Sequence, residues 1–393
     1  MQPLGVFCVI GTRPEAIKMA PVILELRRQA VHCAPRVCLS GQHRDMVSPV
    51  LEHFGIRPDV ELTCPRSSTS LAEMTARLLE SLDQAMAQAR PDCVVAQGDT
   101  STVLAASLAA FYRRIPLVHV EAGLRTGDLN APWPEELNRR LPGLTAALHC
   151  APTRRAADNL LAEGVSPGSI HVTGNTAIDA LLWTLARPES AGPRGLEAID
   201  GPLVLITGHR RENFGGGFER ICAAIVELAE RFPEVTFVYP LHLNPQVLEP
   251  VRQRLSGRAN VRLLPPASYP DFVWLLRRAA LVLTDSGGVQ EEAPSLGTPV
   301  LVMRETTERP EAVEVGLAEL VGTSTERIVE RASQLLWARR DQPADGPAIP
   351  LASPYGDGCA AQRIVALILS APWRAKSPVP RPHVLLPREV PVL

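Results

Sequence analysis

The stretch Leu4-Gly5-Val6-Phe7-Cys8-Val9-Ile10, followed by Gly11-Thr12-Arg13-Pro14-Glu15-Ala16-Ile17-Lys18, sets the pattern for the whole chain. A short apolar run rich in β-branched residues reads as a strand buried on both faces. The glycine that follows permits a tight turn, and proline suits the first turn of a helix. The same rhythm returns at Arg36 to Ser40 with a helix from Arg44, at Cys93 to Ala96 with a helix from Thr102 to Arg113, and at Leu117 to Val120. Strand, helix, strand in that order predicts a parallel sheet covered by helices. Around Pro188 to Pro202 proline and glycine cluster and the helical period is lost. Beyond it, strands are predicted at Leu203 to Thr207, Thr236 to Pro240, Val261 to Leu264, Leu281 to Thr284 and Val300 to Met303, with helices from Phe218, Pro245, Tyr269, Val289 and Thr325. The fold class is therefore α/β, with two Rossmann-like domains and a ligand cleft between two sets of strand carboxyl ends.

Bulk properties narrow the function. The 393 residues, 46% apolar and 21% charged, are enough for two cores. A formal charge of -2 from 40 basic and 42 acidic residues argues against a nucleic-acid surface and against a polybasic membrane anchor. Arginine carries nearly all the positive charge, which makes Lys18 conspicuous. The eight cysteines include no CxxC pair and mostly lie in apolar runs, so they read as reduced core thiols. With no apolar stretch of about 18 residues, a cytoplasmic location is expected. The 22 residues from Pro372 hold six prolines and are expected to be extended.

Acids recur beyond the predicted strands: Asp99 in Gln97-Gly98-Asp99-Thr100, Glu121 in His119-Val120-Glu121-Ala122-Gly123, and Glu135 in Pro134-Glu135-Glu136. Carboxylates beside buried strands lose hydration, so they persist where chemistry or charge pairing uses them. Three strand-to-helix turns carry anion-binding residue types. In the first, the helix-start N–H groups of Gly11 to Lys18 are expected to be free for an anion, with Arg13 and Lys18 adding full charges. In Asp285-Ser286-Gly287-Gly288-Val289-Gln290-Glu291-Glu292, the Ser286 hydroxyl and the amides of Gly287 and Gly288 can cradle phosphate oxygens, and Glu292 can accept from ribose hydroxyls. In Thr207-Gly208-His209-Arg210-Arg211, His209 stands at a strand end beside two arginines, which suits contact with a leaving group. Neither GxGxxG after a strand nor GxxxxGK[ST] is present, which disfavours hydride-transfer and P-loop enzymes. His119-Val120-Glu121 matches the H-x-E of zinc deaminases, but no P-C-x-x-C follows and no metal is expected. Gly215-Gly216-Gly217 reads as a flexible loop before the helix at Phe218.

The strings GTRPEAIKMAP, GQHRDM, QGDTSTVLA, HVEAGLRTGD, PWPEELNR, VTGNTAIDAL, TGHRRENFG, YPLHLNP, LTDSGGVQEEAPSLG, RETTERPEA and PYGDG occur in this order. Together they resemble the bacterial non-hydrolysing UDP-N-acetylglucosamine 2-epimerases, up to about Leu369. The resemblance implies a glycosyltransferase-B type architecture. Residues 1–185 would form the first domain, 186–358 the UDP-binding domain, 359–371 a helix returning to the first domain, and 372–393 a proline-rich tail. It further implies a homodimer without a nicotinamide cofactor and reversible epimerisation at C2 of UDP-GlcNAc. Elimination of UDP would give a 2-acetamidoglucal, and re-addition would follow. Asp99, Glu121, Glu135 and His209 match the family's catalytic positions. Arg13, Lys18, Phe272, Ser286, Gly287, Gly288, Glu292 and Arg309 match its UDP-binding ones. Gln42, Arg66, Arg210 and His242, with Glu135, match a second UDP-GlcNAc site that activates many members, where Asp45 replaces a common Gln. Rival readings are a 2-epimerase of a 2,3-diacetamido uronic acid nucleotide, against which the TGHRREN string speaks, and a glycosyltransferase of the same fold.

Overall fold

The computed structural model describes residues 2–63, 70–187, 192–196, 199, 201–339 and 353–373. Arg66, Cys64 and the tail from residue 374 onward lie outside the described residues.

Two parallel sheets are built from alternating strands and helices. The first contains β1 (Leu4–Ile10), β2 (Cys33–Leu39), β3 (Val60–Glu61), β4 (Cys93–Gln97), β5 (Leu117–Val120), β6 (Leu148–Ala151) and β7 (Ile170–Val172), in the spatial order β3-β2-β1-β4-β5-β6-β7. The second contains β8 (Leu203–Thr207), β9 (Thr236–Pro240), β10 (Val261–Leu264), β11 (Ala279–Thr284), β12 (Val300–Val302) and β13 (Ala318–Leu320), ordered β10-β9-β8-β11-β12-β13. Every pairing is parallel, and the central strands are buried at nearly every position, as near-continuous apolar runs require once helices cover both faces.

In the first half the helices are α1 (Arg13–Arg28), α2 (Arg44–His53), α3 (Leu71–Ala89), α4 (Ser101–Tyr112), α5 (Glu135–Thr145), α6 (Arg154–Ala162) and α7 (Thr176–Leu185). In the second they are α8 (Gly216–Arg231), α9 (Pro245–Leu255), α10 (Tyr269–Arg278), α11 (Gly287–Glu292), α12 (Glu311–Glu314) and α13 (Thr325–Arg339), with α14 (Ala360–Ser370) following. The strands and helices expected from the sequence are present within a few residues. Strands β3, β6, β7 and β13 are short, and their apolar runs were too brief to separate from loops. Gly216 and Gly217 open helix α8 instead of forming a flexible loop, and Gly215 before them takes a positive φ of 74°. Packing of Phe218, Ile221 and Ile225 into the second core outweighs the weak helix preference of glycine.

After α13 the chain returns to the first domain. Helix α14 packs on α1 and α7, and its first free amides, Ala360 N–H and Ala361 N–H, are accepted by Asp179 of α7 at 3.2 and 2.8 Å. Just before it, Tyr355 accepts the Asn175 N–H at 2.7 Å through its carbonyl and donates its hydroxyl to the Arg309 carbonyl at 3.2 Å. That residue therefore pins both domains. The seven described cysteines are all free, six of them buried. No helix among the described residues is long and apolar enough to cross a membrane.

Candidate active site

Because all the strands run parallel, the turns after β1, β4 and β5 emerge at one edge of the first sheet, and those after β8 and β11 at the corresponding edge of the second. The candidate acids and cations sit on these turns.

Glu121 follows β5 directly and has a φ of 61°, a backbone state rare for a side chain of this size and costing on the order of 1 kcal/mol. Its carboxylate is almost wholly buried. It accepts from Lys18 Nζ, from Gln97 Nε2 and, at 3.2 Å, from Asn175 Nδ2. The Asn175 side chain also caps α7 by accepting the Ala177 N–H at 2.9 Å. From the other domain, Arg309 Nη2 lies 3.9 Å from Glu121, while Arg309 Nε donates to Glu291 at 2.6 Å and Lys18 Nζ lies 3.3 Å from Glu291. Two basic side chains and two acidic ones thus meet in one buried cluster that joins the domains, and Arg309 Nη1 also donates to Glu308. Burial alone pushes the Glu121 carboxyl up, but Lys18 and Arg309 outweigh it and hold the group below its ordinary value. Burial likewise pushes Lys18 down, and Glu121 with Glu291 more than restores it. Both ends of the Lys18–Glu121 pair are therefore charged.

The first turn departs from expectation. The Gly11 and Thr12 N–H groups are not free for an anion, because the Glu15 carboxylate accepts both, the second at 2.9 Å. The residue types of a helix capping box and of an anion-binding helix start coincide here, and the box wins. Glu15 also accepts from the Thr100 hydroxyl beside Asp99. Burial pushes its carboxyl up to about 7, against these three donors. Of the two cations on this turn, Lys18 is engaged by Glu121 and Glu291, and Arg13 Nη2 reaches across to the Ala267 carbonyl at 3.1 Å.

Asp99 pairs with Arg139 of α5 at 2.5 Å. On the same helix Glu135 and Glu136 part company. Glu135 lines an interdomain cleft of about 1150 Å³, whereas Glu136 is fully buried and accepts the Thr126 N–H at 3.2 Å and Arg140 Nη2 at 3.2 Å. Across the cleft stand His209, Arg210 and Glu308.

Asp285, unassigned by the sequence reading, organises that wall. Fully buried at the end of β11, it accepts the His209 N–H at 3.0 Å with each oxygen, the Arg210 N–H at 3.0 Å and Asn213 Nδ2 at 3.0 Å. His209 stacks on His242 with ring centroids 5.3 Å apart. Burial keeps the His209 imidazole below its ordinary pKa, helped by Arg210 and His242 and opposed by Asp285.

Ser286 stands at the N-cap of α11, which Gly287 and Gly288 open two residues before the expected start at Val289. A Cβ at Gly287 would lie 2.5 Å from Arg309 Nη1, so glycine is what admits the guanidinium. Glu292 accepts from the Tyr269 hydroxyl at 3.1 Å, and burial pushes its carboxyl up to about 7. Phe272 lies half-buried on α10. Of the residues matched to a second nucleotide site, Arg210 and Glu135 line the cleft, His242 adjoins it through His209, and Gln42 accepts from the Thr102 hydroxyl at 2.8 Å. Glu291, Asp285 and Glu15 were missed as site residues because each stands beside a more conspicuous neighbour. Among the described residues no three His, Cys, Asp or Glu side chains are placed to share a metal ion.

The chain is similar to known proteins over most of its length. The family model described as UDP-N-acetylglucosamine 2-epimerase matches residues 25–369. A UDP-N-acetylglucosamine 2-epimerase of Yersinia pestis is 51% identical over 370 residues, covering 92% of this chain and 97% of its own. The crystal structure of the UDP-GlcNAc 2-epimerase from Neisseria meningitidis bound to UDP-GlcNAc is 45% identical with a TM-score of 0.87, covering 93% of this chain and 100% of its own. That of the Methanocaldococcus jannaschii enzyme in complex with UDP-GlcNAc and UDP is 32% identical with a TM-score of 0.79, covering 92% and 99%. The chain belongs to the UDP-N-acetylglucosamine 2-epimerase family.

Proposed function

We propose that this protein interconverts UDP-GlcNAc and UDP-ManNAc by inverting C2 through elimination and re-addition of UDP. The observation that carries the reading is the convergence of Glu121 and Lys18 from one domain with Arg309 and Glu291 from the other in a single buried cluster. The C2–H bond of the sugar is not acidic. Breaking the anomeric C–O bond builds positive charge at C1, which acidifies that hydrogen; its loss gives the 2-acetamidoglucal, and protonation from the opposite face followed by return of UDP gives the manno epimer. The departing diphosphate needs cations placed in advance, and Arg13, Lys18, Arg309 and the turn at Ser286 to Gly288 fill that role. His209, held by Asp285, faces the leaving group. Proton transfer needs a carboxylate for each face of C2, and Asp99 and Glu121 are the pair, with Glu135 on the cleft wall. Phe272 stacks on the uracil, and Glu292 exchanges Tyr269 for the ribose hydroxyls.

The cleft bearing Glu135 and Arg210 is the place for a second UDP-GlcNAc, with Gln42 and His242 as further contacts. Exposed Phe111 and Tyr112 at the end of α4 and Leu137 and Leu144 on α5 support a homodimer through these helices. The product supplies ManNAc units for cell-surface polysaccharide, made in the cytoplasm without nucleic-acid, membrane or cofactor partners.

Proton NMR of the protein with UDP-GlcNAc in D2O tests the reaction. UDP-ManNAc should appear, with deuterium at C2 of both epimers. Turnover with protium retained at C2, or no turnover, overturns the reading.

A further inference from the structure

His119 lies on β5 two residues before Glu121 and is almost wholly buried. Its Nε2 is 2.7 Å from the Gly98 carbonyl oxygen. A carbonyl only accepts, so Nε2 carries the proton and Nδ1 is bare, consistent with the absence of a partner at buried Nδ1. Burial brings the ring's pKa down to about 4, so the imidazole is neutral and its tautomer is defined by this one bond. Gly98 is held on its other side too, since its N–H is accepted by the Val120 carbonyl at 3.0 Å. Both backbone groups of Gly98 are therefore fastened to the two residues that precede Glu121. Gly98 takes a φ of 85°, and a Cβ there would stand 3.8 Å from Glu121 Oε2. Gln97, on one side, donates to Glu121, and Asp99 is on the other.

We propose that His119 is a positioning residue: by donating Nε2–H to the Gly98 carbonyl it fixes the Gln97-Gly98-Asp99 turn against β5 and so sets the placement of Asp99 relative to Glu121. This rests on the reading that these two carboxylates carry the C2 proton. His119 touches no substrate in this scheme. It acts through the backbone, and a turn free to relax by about 1 Å is expected to lower the rate by up to two orders of magnitude without loosening the nucleotide.

A matched pair of variants tests this. In His119→Gln the amide nitrogen stands near the place of Nε2 and keeps the donor. In His119→Asn it stands near Nδ1 and cannot reach Gly98. His119→Asn also leaves the buried Gly98 carbonyl unpaired, so its thermal midpoint should fall further than that of His119→Gln, and the kinetics are read well below both midpoints. His119→Asn should lose kcat and the rate of deuterium entry at C2 by about 100-fold, with KM and UDP affinity within about threefold of the parent; His119→Gln should recover most of that loss. Equal kcat in the two variants overturns the proposal, as does a loss carried by KM or UDP affinity. Asp99→Asn and Glu121→Gln run alongside. If those turn over at the parent rate, the two-carboxylate reading falls; if they are inactive while the His119 pair are alike, only the positioning role falls.

Discussion

Lys18 and Glu121 form a buried ion pair, contributed by α1 and by the turn after β5, and Arg309 and Glu291 of the other domain add its remaining charged neighbours. A buried charge without its partner is costly, so the pair couples stability to chemistry. Lys18→Met should destabilise the protein by about 3 kcal/mol, and the double variant Lys18→Met/Glu121→Gln should recover part of that in thermal unfolding while remaining inactive. A double variant no more stable than Lys18→Met would show that Arg309 alone neutralises Glu121.

Asp285 receives three backbone N–H contacts and one amide. Asp285→Ala should leave those donors unsatisfied, with a loss of about 2 kcal/mol and a kcat lowered at least tenfold as His209 loses its anchor. Urea unfolding and steady-state kinetics check it. Unchanged kcat in a destabilised variant would remove the link to His209.

Glu292 has a folded pKa of about 7, above its ordinary 4.5. A group whose pKa rises on folding favours the folded state most at low pH, and that contribution disappears as pH climbs through 7, with an upper bound on the order of 3 kcal/mol. Glu292→Gln should therefore gain in melting temperature relative to the parent between pH 5 and pH 8, while its KM for UDP-GlcNAc rises. A melting difference constant over that range contradicts the assignment.

Gly287→Ala places a methyl 2.5 Å from Arg309 Nη1 and 2.8 Å from its Cζ. Arg309 cannot simply swing aside, being held by Glu291 and Glu308. We expect UDP affinity to fall about tenfold, corresponding to about 1.4 kcal/mol. Titration with UDP reads this directly, and unaltered affinity would place the diphosphate elsewhere.

Rate against UDP-GlcNAc should be sigmoidal, reflecting a second molecule in the cleft lined by Glu135 and Arg210. Arg210→Ala should flatten the curve. A plain hyperbola down to trace substrate would sink the activator site, and the acid at Asp45 would be its physical reason.

The two-sheet fold, the longer strands and the turns that carry the site were legible in the chain, because a buried parallel strand needs a continuous apolar run and a helix start needs its own residue types, whereas the spatial order of the strands and the short β3, β6, β7 and β13 were not. Asp99, Glu121 and His209 stood out as polar groups at those turns, whereas Arg309 was matched only through the family resemblance. What each charge does was decided only in three dimensions. Glu291 and Glu292 are adjacent, yet successive positions on a helix point about 100° apart. The first meets Arg309 and Lys18, the second Tyr269. Glu135 and Glu136 divide in the same way between cleft and core. Glu15 reads like a bystander of an anion site until its carboxylate is seen to fill it. Local sequence determines where strands end and helices begin, since those choices depend on neighbouring residues. Which carboxylate meets which cation depends on how two domains dock, and that is set by contacts between residues hundreds of positions apart.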